Sequence, residues 1–134
     1  MAGGLALDLA RRRRRIVIME ILRYAAFSAD PAGGNPAGVV LDATGLDEAE
    51  MQRVAAEVGY SETAFLVPRG DDGHFTVRYF SPRAEVPFCG HATIASGVAQ
   101  AERYGPGVLR LDTRAGLVEV STTVRADGAV TATL

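Results

Sequence analysis

Three short segments put polar side chains at places where strands should begin or end. The richest runs from Phe80 to Thr93, Phe-Ser-Pro-Arg-Ala-Glu-Val-Pro-Phe-Cys-Gly-His-Ala-Thr, a loop leading into the start of an apolar helix. Unpaired N–H groups in a first helical turn, together with the helix dipole, make a ready seat for a carboxylate. Gly90 removes a Cβ that would block a ligand, and His91 adds a side-chain donor. Cys89 lies beside the positive helix end, which is expected to lower its thiol pKa and favour thiolate. Each residue also has a plain structural reading: a buried cysteine, and a histidine that only closes a helix start.

The second segment is Tyr60-Ser61-Glu62-Thr63-Ala64-Phe65. Glu62 opens an otherwise apolar strand, and a carboxylate entering a partly apolar cleft holds its proton more tightly because desolvation disfavours the charge. A general acid/base working near neutral pH needs that property; the alternative is a solvated charge at a strand end. The third is Gly33-Gly34-Asn35-Pro36. The glycines allow close backbone approach, and Pro36 holds Asn35 extended, so its amide can donate to a ligand carboxylate. Equally, Asn35 can bond its own backbone in a simple turn.

The surrounding elements are legible from periodicity. Glu20–Phe27 has strand character, Asp30–Pro36 is dense in turn formers, and Ala37–Leu41 reads as a short buried strand. In Asp47–Val58, Met51, Val54, Ala55 and Val58 make one apolar stripe, Asp47 and Glu50 resemble a capping box, and Gly59 is a natural stop. Strands are predicted at Thr63–Val67 and Phe75–Phe80, separated by Gly70-Asp71-Asp72-Gly73. A second helix is predicted from Gly90 to Tyr104, and its uncharged middle of small residues predicts that protein surrounds it. Val108–Thr113, Leu117–Val124 and Ala129–Leu134 supply three more strands. The fold class is therefore α+β, a curved mixed sheet around one apolar helix; a doubly wound parallel sheet would need more helices.

With 134 residues, 48% hydrophobic and 22% charged, the chain is long enough for one cored domain. A net charge of −2 favours no nucleic acid. One cysteine and two histidines, His74 and His91, exclude a disulfide framework and argue against a dedicated metal centre. No apolar run reaches the roughly 18 residues of a membrane span. All fourteen basic residues are arginine, five of them at Arg11–Arg15. A secretory reading of that run fails because Glu20 and Arg23 interrupt the apolar stretch. Residues 1–18 are expected to be a disordered leader, residues 19–134 the domain, and the cytoplasm its location.

Taken together, Gly34-Asn35-Pro36-Ala37-Gly38-Val39-Val40, Ser61-Glu62-Thr63-Ala64-Phe65, Arg78-Tyr79-Phe80-Ser81-Pro82 and Glu85-Val86-Pro87-Phe88-Cys89-Gly90-His91-Ala92-Thr93 resemble the N-terminal half of the PhzF family of phenazine-biosynthesis isomerases and epimerases. The resemblance spans residues 20–134 and implies a diaminopimelate epimerase-like domain, its curved sheet or barrel wrapped around a central helix. It implies Glu62 as catalytic acid/base and Cys89 as a secondary catalytic residue, standing where epimerase relatives carry one of two cysteines. Asn35, Ser61, Gly90 and His91 would line the site of a small carboxylic-acid substrate. No cofactor and no metal are implied. Family members are about twice as long, with a second domain forming the opposite wall of the cleft. The expected partners are that C-terminal half as a separate piece or a second copy in a homodimer. A competing reading is a catalytically silent domain that binds or dimerises through the uncovered, apolar cleft wall.

Overall fold

The computed structural model describes the backbone of residues 2–8, 18–26, 35–70 and 72–134, and the side chains of 20–24, 36–70 and 72–134. Along the chain run β1 (Ala2–Asp8), β2 (Ile18–Ala26), β3 (Asn35–Val40), α1 (Glu48–Val58), β4 (Glu62–Pro68), β5 (His74–Phe80), β6 (Glu85–Val86), α2 (Gly90–Tyr104), β7 (Val108–Thr113), β8 (Gly116–Val124) and β9 (Val130–Thr133). The strands form one mixed sheet in the order β1-β2-β3-β4-β5-β7-β8-β9, with β6 beside the end of β5 that β7 leaves uncovered. Among the described strands, only β3–β4 and β5–β7 pair in parallel. Each parallel pair needs a crossover, and the two crossovers carry α1 and α2. Both step the same way along the sheet from antiparallel starting strands. The right-handed preference of such connections therefore puts the helices on opposite faces.

Side-chain alternation along the strands gives each helix its own core. On the concave face Leu22, Tyr24, Val39, Leu66, Val77 and Tyr79 meet Ala92, Ala95 and Ala99 of α2. On the convex face Ile21, Val40, Phe65 and Phe80 meet Met51, Val54 and Ala55 of α1. The sheet curls far enough for α2 to touch β2, β3 and β4 on one side and β8 and β9 on the other. This is the expected α+β half-barrel around an apolar helix.

Small residues make that enclosure possible. A Cβ built on Gly97 would lie 2.8 Å from Val120 Cγ1 and 3.3 Å from the Ala132 Cβ. Val120 is fully buried and stiff at χ1, so neither side can yield. Gly97→Val should therefore cost about 1–3 kcal/mol through overpacking, with little helix propensity regained. The expected result is a melting temperature several degrees below the parent's.

One expectation needs correcting. Residues 2–8, read from sequence as part of a leader without order, pair antiparallel with β2, Ala2 facing Tyr24 and Asp8 facing Ile18. The arginine run draws attention away from Gly3-Gly4-Leu5-Ala6-Leu7, which carries no charge and can extend along an open sheet edge. Arg11–Arg15 and most of the glycine-rich loop, residues 27–34, lie outside the described residues.

Candidate active site

Two chain reversals deliver the polar residues to one end of α2. Asp47 caps α1 in a complete capping box, accepting from the Glu50 N–H at 2.8 Å while Glu50 Oε1 accepts from the Asp47 N–H at 3.0 Å. At the other end Gly59 takes the left-handed conformation (φ +77°), and its N–H closes the last turn on the Ala55 carbonyl. The chain then turns directly into β4, whose first residue is Glu62, opposite Ala37 of β3. α2 starts at Gly90 with Cys89 as its extended N-cap.

The loop that carries Cys89 is fastened to the sheet by charge. Arg78 grips both oxygens of Glu85, Nη2 to Oε1 at 2.6 Å and Nε to Oε2 at 2.7 Å. Arg114 adds a bond of 2.8 Å to Oε2. Such a forked pair fixes geometry as well as adding energy. Arg78, then Arg114, hold the Glu85 carboxyl below its ordinary pKa. Because the folded pKa is the lower one, the contribution is present above the unfolded carboxylate range and disappears as pH falls through the folded value. The stability gap between the parent and Glu85→Gln should therefore close on acidification below about pH 4, which thermal melts across pH will measure.

At the mouth of α2, Cys89 Sγ donates to Glu62 Oε1 at 3.4 Å. The same oxygen lies 3.4 Å from His91 Nε2. His91 Nδ1 is 3.2 Å from Cys89 Sγ, and Ser61 Oγ is 3.4 Å from His91 Nε2. Ser61 Oγ also donates to the Pro36 carbonyl at 3.1 Å, tying the start of β3 to the cluster. The side chains of Glu62 and His91 keep 22% and 13% of their exposure, enough for a small molecule to reach them. Behind them, Thr93 Oγ1 shares a 2.6 Å bond with the Tyr79 hydroxyl and another of 2.7 Å with the Cys89 carbonyl, locking the first turn. Phe88 packs edge-on against Tyr79.

The fold thus gathers Ser61, Glu62, Cys89, Gly90 and His91 at a single mouth. Asn35 begins β3 opposite Ala26, and its side chain lies outside the described residues. The thiol expectation is overturned. Burial, more than any other influence, pushes the Cys89 pKa up to about 11, with the Glu62 charge and hydrogen bond adding to it. The amides of Ala92 and His91 at the helix start pull downward, as expected, and are outweighed. The metal expectation also meets a different arrangement: one ligand atom each from Glu62, Cys89 and His91 lies within 4.8 Å of the others. Counting histidines could not reveal a cluster of three different donors. Sequence reading also passed over Tyr79, Thr93 and the Arg78–Glu85 clamp as positioning residues. Only Thr93, four places after Cys89, left a local signal. A cavity of about 570 Å³ opens at the far end of α2, near Gln100, Tyr104 and Pro106. Its described lining includes Asp42 and Asp72 but no cysteine, serine, threonine or histidine.

Residues 24–134 match the family model described as phenazine biosynthesis-like protein, PhzC-PhzF. The chain belongs to this family. Within it, the chain is 40% identical over 121 residues to the Bacillus subtilis protein named uncharacterized isomerase YfhB, covering 86% of this chain and 40% of that one. Against the Escherichia coli K12 protein named uncharacterized isomerase YddE it is 48% identical over 88 residues, 66% of this chain and 29% of the relative. A PhzF-family crystal structure from Bacillus anthracis superposes with a TM-score of 0.72 at 39% identity, over 82% of this chain and 38% of that chain. A structure titled as a predicted epimerase from Pseudomonas aeruginosa gives a TM-score of 0.74 at 28% identity, over 81% and 39%. The chain therefore spans well under half the length of these PhzF-type relatives. Among its described residues, no helix is long and apolar enough to cross a membrane.

Proposed function

We propose that this chain supplies the acid/base wall of a cofactor-independent isomerase that relocates a proton within a small carboxylic acid. The observation that carries this reading is the Glu62 carboxylate, 3.4 Å from both Cys89 Sγ and His91 Nε2 at the start of α2. First-turn N–H groups of α2 and His91 hold the substrate carboxylate, with Ser61 and Asn35 as further donors. Glu62 removes a proton from a carbon next to an activating group, becomes a neutral acid whose partly exposed carboxyl exchanges with solvent, and delivers a proton to another carbon of the same molecule. Placement provides much of the rate, because donor and acceptor carbons lie within reach of one oxygen.

At neutral pH a thiol with a pKa of about 11 keeps its proton. Cys89 is then a hydrogen-bond donor to Glu62, not a second base. Glu62 and Cys89 also stand side by side, so the pair cannot address opposite faces of one carbon. Proton relocation by a single acid is therefore favoured over two-base epimerisation within this wall. The opposite wall comes from the length of chain that the relatives have beyond the matched region, as a C-terminal half or a second copy. A cytoplasmic setting is supported by Glu20 and Arg23, which interrupt the apolar stretch after the arginines.

The test is deuterium uptake from heavy water into small unsaturated or cyclic carboxylic acids. It is run on this chain alone and on the chain joined to the part of the Bacillus subtilis relative outside the match. Uptake by the joined protein supports the reading, and its absence across the panel of acids counts against it. A second reading is a silent binding module. Ligand affinity without uptake in either form would select that reading.

A further inference from the structure

We propose that Glu62, Cys89 and His91 together form a binding site for a borderline-soft divalent cation of the zinc type, so that metal and proton compete for the same three side chains. The donor set is one carboxylate, one thiol and one imidazole, the kinds of ligand zinc takes. The separations fit as well. Around a tetrahedral zinc, bonds of about 2.3 Å to sulfur and about 2.0–2.1 Å to nitrogen and oxygen put sulfur about 3.5 Å from the other two donors, and nitrogen about 3.3 Å from oxygen. In the structure Cys89 Sγ is 3.4 Å from Glu62 Oε1 and 3.9 Å from His91 Nε2, and His91 Nε2 is 3.4 Å from Glu62 Oε1. A point about 2.3 Å from the sulfur and about 2.05 Å from the nitrogen and oxygen exists, about 0.5 Å out of their plane, as a metal with a fourth ligand requires.

The thiol contacts are ordinary sulfur hydrogen bonds, but the nitrogen–oxygen edge of the triangle is not a good one. At 3.4 Å, the His91–Glu62 and Ser61–His91 approaches are longer than a good N–H···O bond of about 2.7–3.2 Å. The His91–Glu62 edge is thus wider than a hydrogen bond would draw it, and close to the spacing a cation would impose. Three protein ligands leave a fourth position open toward the cleft, beside Ser61 Oγ, where water or a substrate carboxylate can bind. A cation there takes the lone pairs that Glu62 needs for proton transfer, so the metal-loaded chain is inhibited. That last consequence rests on the function proposed above; the site itself does not.

The test titrates Co2+, as a spectroscopic stand-in for zinc, into the reduced chain. The expected result is one cobalt per chain, with a near-ultraviolet thiolate-to-cobalt charge-transfer band that an equivalent of Zn2+ abolishes. Cys89→Ser should lose the band. It and His91→Gln should each weaken binding by at least about tenfold, since even loss of residues that merely orient ligands costs about 10–100-fold. His74 is bonded to Asp112 at 2.8 Å, away from the cluster, so His74→Ala should bind as the parent does. Circular dichroism confirms that each variant is folded. A folded, reduced parent with no band overturns the proposal, as does an unchanged cobalt affinity in His91→Gln or a band that vanishes in His74→Ala. Deuterium uptake without a cobalt band would remove the metal site and leave the proton-transfer reading standing. A band without uptake would do the reverse.

Discussion

Glu62→Gln should lower deuterium uptake by the joined protein about 10²–10⁴-fold, the usual worth of a positioned acid/base group. Glutamine keeps the shape of the side chain and its place at the first residue of β4, but an amide neither takes nor returns a proton under these conditions. Carboxylate binding is assigned to the start of α2, so the loss should fall on kcat with KM little changed. His91→Asn should show the opposite split, with KM rising more than kcat falls. Because Glu62 retains some exposure, its replacement should leave the melting temperature close to the parent's. Uptake at the parental rate in a folded Glu62→Gln protein would remove this carboxylate from the mechanism.

Cys89 should be unreactive at neutral pH despite its place at a helix start. With its pKa at about 11, only about one thiol in a thousand is ionised at pH 8, against about a quarter for an ordinary cysteine. Alkylation by iodoacetamide, followed by mass spectrometry, should therefore run roughly two orders of magnitude slower than for a free thiol. The rate should climb about tenfold per pH unit until the pH nears that pKa. Glu62→Gln removes the neighbouring charge and should speed alkylation at pH 8, although burial, the larger cause, remains. A rate that levels off below pH 8 would show a thiolate and restore the behaviour expected from the helix end alone.

The difference between those two thiols marks where sequence reasoning stops. Features set by nearby residues were readable. The helix predicted from Gly90 to Tyr104 has both its ends in place, and Asp47, Glu50 and Gly59 bound α1 as expected. The two chemical segments were also readable as separate pieces, because Glu62 follows a helix stop and Cys89-Gly90-His91 opens a helix. Their meeting depends on β3 and β4 pairing in parallel and on α2 entering the concave side, which no local pattern specifies. Desolvation of Cys89 follows from that meeting, so its sign was out of reach. The two-residue strand β6 escaped for a different reason. It lies between Pro82 and Pro87, where composition reads as loop, and is held by the distant Arg78 and Arg114.

The close seating of α2 has a mechanical consequence. Gly97 rests against Val120 and Ala132, while Cys89 stands eight residues up the same rod, about 12 Å away at 1.5 Å per residue. The helix behaves as a lever with its fulcrum at that glycine. A tilt of only about 5° there would swing Cys89 and His91 by about 1 Å, and a misplacement of that size can cost about a hundredfold in rate. Bulk added at Gly97 should thus disarm the mouth even in molecules that stay folded, making a buried, chemically inert position a control point for reactivity.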